Sequence, residues 1–411
     1  MTQSQSTSEF GPDFVLDTNS LAYIRNPYPT YRWLQEHAPV YIWPRQPIVV
    51  FSRYRDVKAI LGDARFTADF HKWEHARERK GTPAHDAYNL LIKNGFLCLA
   101  ESDHARVRKL ANVALTPRSL ERIRGEIQHA VDEVMDAAIQ GDRLNLRTFT
   151  DALPIRVICD MLKIPDEFRA EFLAFARATI QTLEPSLSPE AFAQTIAEMP
   201  NWVSMLREVI DRRRKNPLPD DFMSMLIAAC DGEARLSENE LLGIIQALIT
   251  AGTESTAHSI CFSAYTLLRH PQALEQIKAD RTLLRNANEE CLRFDSFAKS
   301  GFIRFCLQAM EYNNLPLRRG QMVCLLLGAA NHDPEVFPDP ERFDIHRDLS
   351  RTLSFGMGMR FCLGAALARM EIDLSINTLI ERFPAVKLLE EPAFEHHFLF
   401  RTMSKLLLQL H

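Results

Sequence analysis

Phe355-Gly356-Met357-Gly358-Met359-Arg360-Phe361-Cys362-Leu363-Gly364 sets one cysteine behind two glycines and ahead of an apolar run that Pro384 stops. Glycine admits left-handed or closely packed backbone, so the spacing predicts a tight loop followed by a long helix over Cys362 to Phe383. A sulfur at a helix start faces unpaired amides and the positive end of the dipole, which favours the thiolate and suits a metal ion. Gly364 would let the helix lie flat against a large planar cofactor. Phe355 would cover the sulfur, and Arg360 could pair with a carboxylate on that cofactor. A redox-active thiol at a helix cap and a glycine-rich phosphate loop are the other readings, although neither GxGxxG nor GxxxxGK[ST] is completed. The eight cysteines show no CxxC or CxxCH spacing, which argues against structural zinc and covalent c-type haem. Cys98, Cys159, Cys230, Cys261 and Cys324 sit in apolar runs, as buried cysteines do.

Upstream, Ser237 and Glu240 form a capping box, with Leu236 and Leu241 as its hydrophobic staple. Apolar residues continue to Leu268, and His270-Pro271 ends the helix. About 32 residues at 1.5 Å each make about 48 Å, roughly three times the mean length. A helix so apolar on nearly all faces should cross the middle of the molecule. Midway lies Ala251-Gly252-Thr253-Glu254-Ser255-Thr256. Its small residues let a ligand approach the backbone, and an acid followed by a hydroxyl can relay protons. The alternative is a helix whose Ser and Thr bond back to carbonyls and whose Glu reaches solvent or an arginine.

Elsewhere, Pro47 to Phe51 reads as extended and Tyr54 to Leu61 as helical. Residues 68–97 look irregular. His104 to Asp231 reads as amphipathic helices broken at prolines, Leu315 to Leu327 as strand and turn, Asn331 to Asp348 as an ordered meander, and Phe394 to Leu410 as a hairpin. The chain has 411 residues, 46% hydrophobic and 25% charged, which is globular composition and excludes disordered and collagen-like classes. A net charge of -5, with no basic tail, predicts no nucleic-acid partner and no attraction to an anionic membrane. No run reaches the roughly 18 apolar residues of a membrane helix. Met1 to Ser20 lacks the pattern of a signal peptide, so the expectation is a cytoplasmic protein.

Phe355, Gly356, Gly358, Arg360, Cys362, Gly364, Leu367, Ala368 and Arg369 together resemble the haem-binding signature of the cytochrome P450 family. The resemblance implies a mainly α fold in one domain over residues 1–411. It consists of a helical body and a small β-rich lobe, with haem b between the long central helix and the cysteine loop. Cys362 would be the axial thiolate, which pushes electron density that favours O–O cleavage. His104 and Arg108, one turn apart, and Arg304, in the apolar run Phe302 to Phe305, match the family's propionate-binding residues. Glu290 and Arg293 match the Glu-x-x-Arg pair that locks to the meander, a structural role. Ala251 would face the haem. Glu254 and Ser255, where the family commonly has Thr, would deliver protons, with Thr256 able to share the work.

The implied reaction inserts one atom of O2 into a hydrophobic substrate and releases the other as water. Electrons would come from NAD(P)H through a separate ferredoxin or flavodoxin and its reductase, docking near Arg106, Lys109 and Arg118, on a monomer. Ala247, Ala251, Phe297, Ala298, Phe398 and Leu399 occupy places that line the substrate pocket in the family. Asp103 to Leu110 and Leu292 to Tyr312 are similar to bacterial members that oxidise polyketide macrolides, implying a secondary metabolite. Other readings are a fatty-acid hydroxylase with Lys299 as carboxylate anchor, a terpenoid hydroxylase, a peroxygenase, or a haem protein that binds a ligand without monooxygenation.

Overall fold

The computed structural model describes residues 14–44, 48–76, 80–112, 115–183, 187–218, 221–231, 236–299, 301–397 and 399–411. Its organising element is the helix Glu238–Arg269. Ser237 Oγ accepts the Glu240 amide at 3.2 Å, and the Glu240 carboxylate accepts the Ser237 amide at 2.8 Å, so the capping box is complete. Leu236 and Leu241 are both buried beside it. Every residue from Leu241 to Thr250 and from Thr256 to Leu267 is buried. The helices Leu146–Met161, Arg169–Gln181, Leu284–Phe294 and Ala365–Arg382 pack against it. No described helix is long and apolar enough to cross a membrane.

A five-stranded sheet forms a lobe beside this body, in the order Val40–Ile42, Ile48–Phe51, Met322–Leu325, Phe302–Cys306 and Phe66–Thr67. Ile48–Phe51 runs parallel to Met322–Leu325, with Val49 opposite Val323; the other pairings are antiparallel. Period-two alternation splits its side chains between two cores. Val49, Phe51, Val323 and Leu325 join one apolar cluster, and Val50 and Cys324 the other.

The meander 331–348 is tied to the body by the pair expected from its spacing. Arg293 Nε and Nη2 donate to the two Glu290 oxygens at 2.6 and 2.8 Å, with no exposed side-chain surface on either residue. Arg293 Nη1 donates to the carbonyls of Asn331 and Pro340 at 3.0 Å each. Glu290 also accepts the Asp344 amide and Arg347 Nε.

Several expectations need correction. The last helix is Ala365–Arg382 rather than Cys362 to Phe383, because Cys362 belongs to the loop ahead of the first turn. Residues 68–97 are only partly irregular: Thr82 caps a helix over Pro83–Tyr88, followed by a π-turn at Asn89–Lys93. The helical body is interrupted by the strands Ile139–Gln140 and Arg143–Asn145, turned at Gly141 with φ +63°. The expected C-terminal hairpin covers only Ala393–Glu395 and Thr402–Lys405. The final strand, Leu407–Gln409, pairs instead with Arg143–Asn145 and Lys387–Leu388.

Candidate functional site

Gly356 and Gly358, at φ +69° and +66°, make the cysteine loop turn in a way a side chain would resist. The Cys362 amide then donates to the Phe355 carbonyl at 2.9 Å, closing the loop. The thiol is exposed within a recess, and a Cβ built on Gly364 would meet nothing within 4 Å. Burial in that recess pushes the Cys362 thiol up, while the Gly364 amide and the Arg108 and Arg369 charges pull it down. The Phe355 ring lies under the Arg369 guanidinium at 4.3 Å, and Arg369 is anchored to Glu289.

Three elements bring cations beside this cysteine. His104 and Arg108 lie on the helix Glu101–Asn112, Arg304 on the strand Phe302–Cys306, and Arg360 on the loop itself. His104 is buried, with Nδ1 lacking a hydrogen-bond partner among the described residues. Its ring stacks on Phe96 at 4.6 Å. Burial, then the Arg360 and Arg108 charges, push its pKa down to about 4, so it is neutral. Among the described residues Arg304 donates only to its own Ile303 carbonyl, and burial followed by the Arg360 charge lowers its pKa to about 10. Burial also lowers Arg108, which makes no hydrogen bond or ion pair among the described residues.

Arg360 departs from its expected role. Its guanidinium is taken up by Glu101 at 2.9 Å and by the Leu97 and Leu99 carbonyls. Burial opposes ionisation of Glu101, yet the Arg360 charge outweighs it and holds the carboxyl below its ordinary value. Three guanidiniums answered by one carboxylate leave two positive charges over. Buried charge requires partners. Two propionates on a planar group seated against Cys362 supply them, so the residues present fit haem.

The burial of the central helix breaks at Ala251, Gly252, Glu254 and Ser255, within the stretch singled out by its small residues. Ala251 is exposed in the middle of an otherwise buried helix. Ser255 Oγ donates to the Ala251 carbonyl at 2.5 Å, the backbone-bonded alternative. Thr253 and Thr256 are buried. Glu254 is partly exposed rather than buried, and its Oε2 lies 3.5 Å from Nε2 of His397. His397 carries no motif, and its one mark in the sequence is the His396-His397 doublet in the tail.

Of the expected pocket residues, Ala247 is buried, while Phe297, Ala298 and Leu399 are half-buried around the bridge between Ala298 and Phe400. Phe398 lies outside the described residues. Lys299 is not at a pocket mouth: it is fully buried and donates to Asn19 Oδ1 at 2.7 Å. Arg106, expected on a docking patch, is engaged by Glu240 and Asp103.

The chain is 37% identical to the Epothilone C/D epoxidase of Sorangium cellulosum over 99% of its length and 98% of that protein. It is 34% identical to the cytochrome P450 monooxygenase PikC of Streptomyces venezuelae, over 91% of this chain and 88% of that one. The structure of epothilone D-bound cytochrome P450epoK superposes with a TM-score of 0.88 at 36% identity, covering 97% of this chain and 99% of that one. Residues 20–404 match the family model described as Cytochrome P450. The chain thus belongs to the cytochrome P450 family of monooxygenases.

Proposed function

We propose that this enzyme oxidises a bulky hydrophobic polyketide or macrolide, by epoxidation or hydroxylation, with electrons relayed from NAD(P)H by a separate ferredoxin or flavodoxin and its reductase. The observation that carries the substrate class is the 37% identity to an epothilone epoxidase along nearly the whole of both chains. The fatty-acid alternative loses its anchor, because the Lys299 ammonium is spent on Asn19.

In this reading Cys362 would be the sulfur ligand of the haem, and Arg108, Arg304 and the His104 Nδ1 would hold its propionates. Haem, when bound, supplies the chemistry of O2 activation. Ala251 and Gly252, small residues where the burial of the helix breaks, would leave room for the cofactor beside the backbone. Glu254 holds and passes protons at its carboxylate, with Ser255 or Thr256 as the neighbouring hydroxyl. Phe297, Ala298 and Leu399 present an apolar wall that excludes water from one side of the substrate. Lys109 and Arg118 remain as the basic groups for an acidic electron donor.

The test is a Soret titration with epothilone D against hexadecanoic acid, followed by turnover with NAD(P)H, ferredoxin and ferredoxin reductase. Binding of the macrolide and a product heavier by one oxygen atom are expected. Turnover of the fatty acid alone would overturn the substrate class.

A further inference from the structure

Glu254 extends from the central helix toward the loop joining Ala393–Glu395 to Thr402–Lys405, and His397 stands in that loop. His397 Nδ1 accepts the amides of Leu399 and Phe400 at 3.2 Å each. A ring nitrogen that accepts carries no hydrogen, so the hydrogen-bond network assigns the proton to Nε2. The ring is fixed by stacking on Phe400, with centroids 5.0 Å apart and planes 13° apart. Its Nε2 is therefore held by a fixed ring 3.5 Å from Glu254 Oε2. That oxygen is buried and has no hydrogen-bond partner among the described residues.

The surrounding charges are engaged with one another. Arg147, on the helix Leu146–Met161, pairs with Asp151 at 2.8 Å and faces His258 Nδ1 at 3.3 Å. Arg177, Glu254 and Glu395 complete the ring of charges felt by Asp151, whose carboxyl is pushed up, by burial first. His258, on the central helix, is driven well below its ordinary value by burial and then by Arg147 and His397, so it is neutral. His397 is the sole basic group within ion-pair reach of Glu254 among the described residues.

We infer that His397 is the positioning residue for Glu254, its Nε2 holding the carboxylate at the edge of the opening in the central helix. The inference rests on the proton role proposed above for Glu254. A contact of 3.5 Å suits that role, since it is longer than a normal hydrogen bond and lets the carboxylate leave and return.

The experiment compares His397→Ala and His397→Gln, each with Glu254 intact and with Glu254→Gln, in the haem-loaded enzyme. His397→Ala should lower product formed per NAD(P)H roughly threefold to tenfold, the range one hydrogen bond is worth. Haem content should stay unchanged, and His397→Gln, which can still offer an N–H, should recover most of the loss. With Glu254→Gln already present, His397→Ala should add nothing. Nitrogen-15 NMR of the ferrous carbon monoxide complex should show His397 protonated on Nε2, with that signal moving on Glu254→Gln. Full coupling in His397→Ala beside a loss in Glu254→Gln would overturn this inference and leave the relay standing. Full coupling in Glu254→Gln would overturn both. If His397→Ala fails to retain haem, the NMR tautomer decides, and a proton on Nδ1 overturns the inference.

Discussion

Ser255 gives its hydroxyl hydrogen to the carbonyl of Ala251, one turn back on the same helix, at 2.5 Å. Because this bond lies at the break in the helix's burial, it both satisfies the hydroxyl and braces the turn that leaves Ala251 open. To serve in proton transfer the hydroxyl must rotate off the carbonyl. Ser255→Ala is expected to lower product per NAD(P)H consumed while haem content stays the same. Thr256→Val, at a buried neighbour, is expected to change thermal stability more than coupling. Coupling ratios by product analysis against NAD(P)H absorbance check both, and undiminished coupling in Ser255→Ala removes Ser255 from the relay.

The Glu290–Arg293 pair has no exposed side-chain surface, and both members also hold backbone of the segment 331–344. Removing one partner strands the other charge, a loss of about 3–5 kcal/mol. Arg293→Ala should therefore fail to accumulate folded protein or melt far below the parent. Arg293→Lys, which cannot reproduce the two-pronged geometry, should be nearly as damaged. Thermal melting and haem yield report the result.

Arg304 offers a test in which the sign changes between apo and holo protein. It is buried, it donates only to its own strand among the described residues, and burial lowers its pKa. Arg304→Leu should raise the melting temperature of the apoprotein by removing an unanswered charge, and should speed loss of haem to apomyoglobin. A variant that loses stability in both states would show that Arg304 serves the protein and not a propionate.

Glu371 lies fully buried on the helix after Cys362, with Oε2 lacking a hydrogen-bond partner among the described residues, and burial pushes its pKa up to about 8. The folded chain thus keeps a proton that the unfolded chain releases near its ordinary value. Stability falls as pH rises from that value through about 8, and levels off above. Glu371→Gln should accordingly melt higher than the parent at alkaline pH, the gap closing as the pH falls toward 5. A gap independent of pH would contradict a raised pKa.

The features that sequence reading recovered are those written in local residues. The capping box at Ser237 and Glu240 and the His270-Pro271 stop bound the central helix at both ends. Gly356 and Gly358 announce a loop because only glycine takes their φ values cheaply. What escaped depends on partners far along the chain. The strand Arg143–Asn145 is too short to display alternation, and it exists because Leu407–Gln409 pairs with it. Lys299 looks like a surface group until Asn19 arrives from the opposite end of the sequence, and Arg360 finds Glu101 in the same way. His397 carries no motif at all; its relation to Glu254 comes from the return of the C-terminal strands.

The most direct test of the central claim is the carbon monoxide difference spectrum of the reduced, haem-loaded protein. Thiolate ligation by Cys362 predicts a Soret band displaced far to the red, lost in Cys362→Ser. Bound haem without that displacement in the unaltered protein would contradict the account.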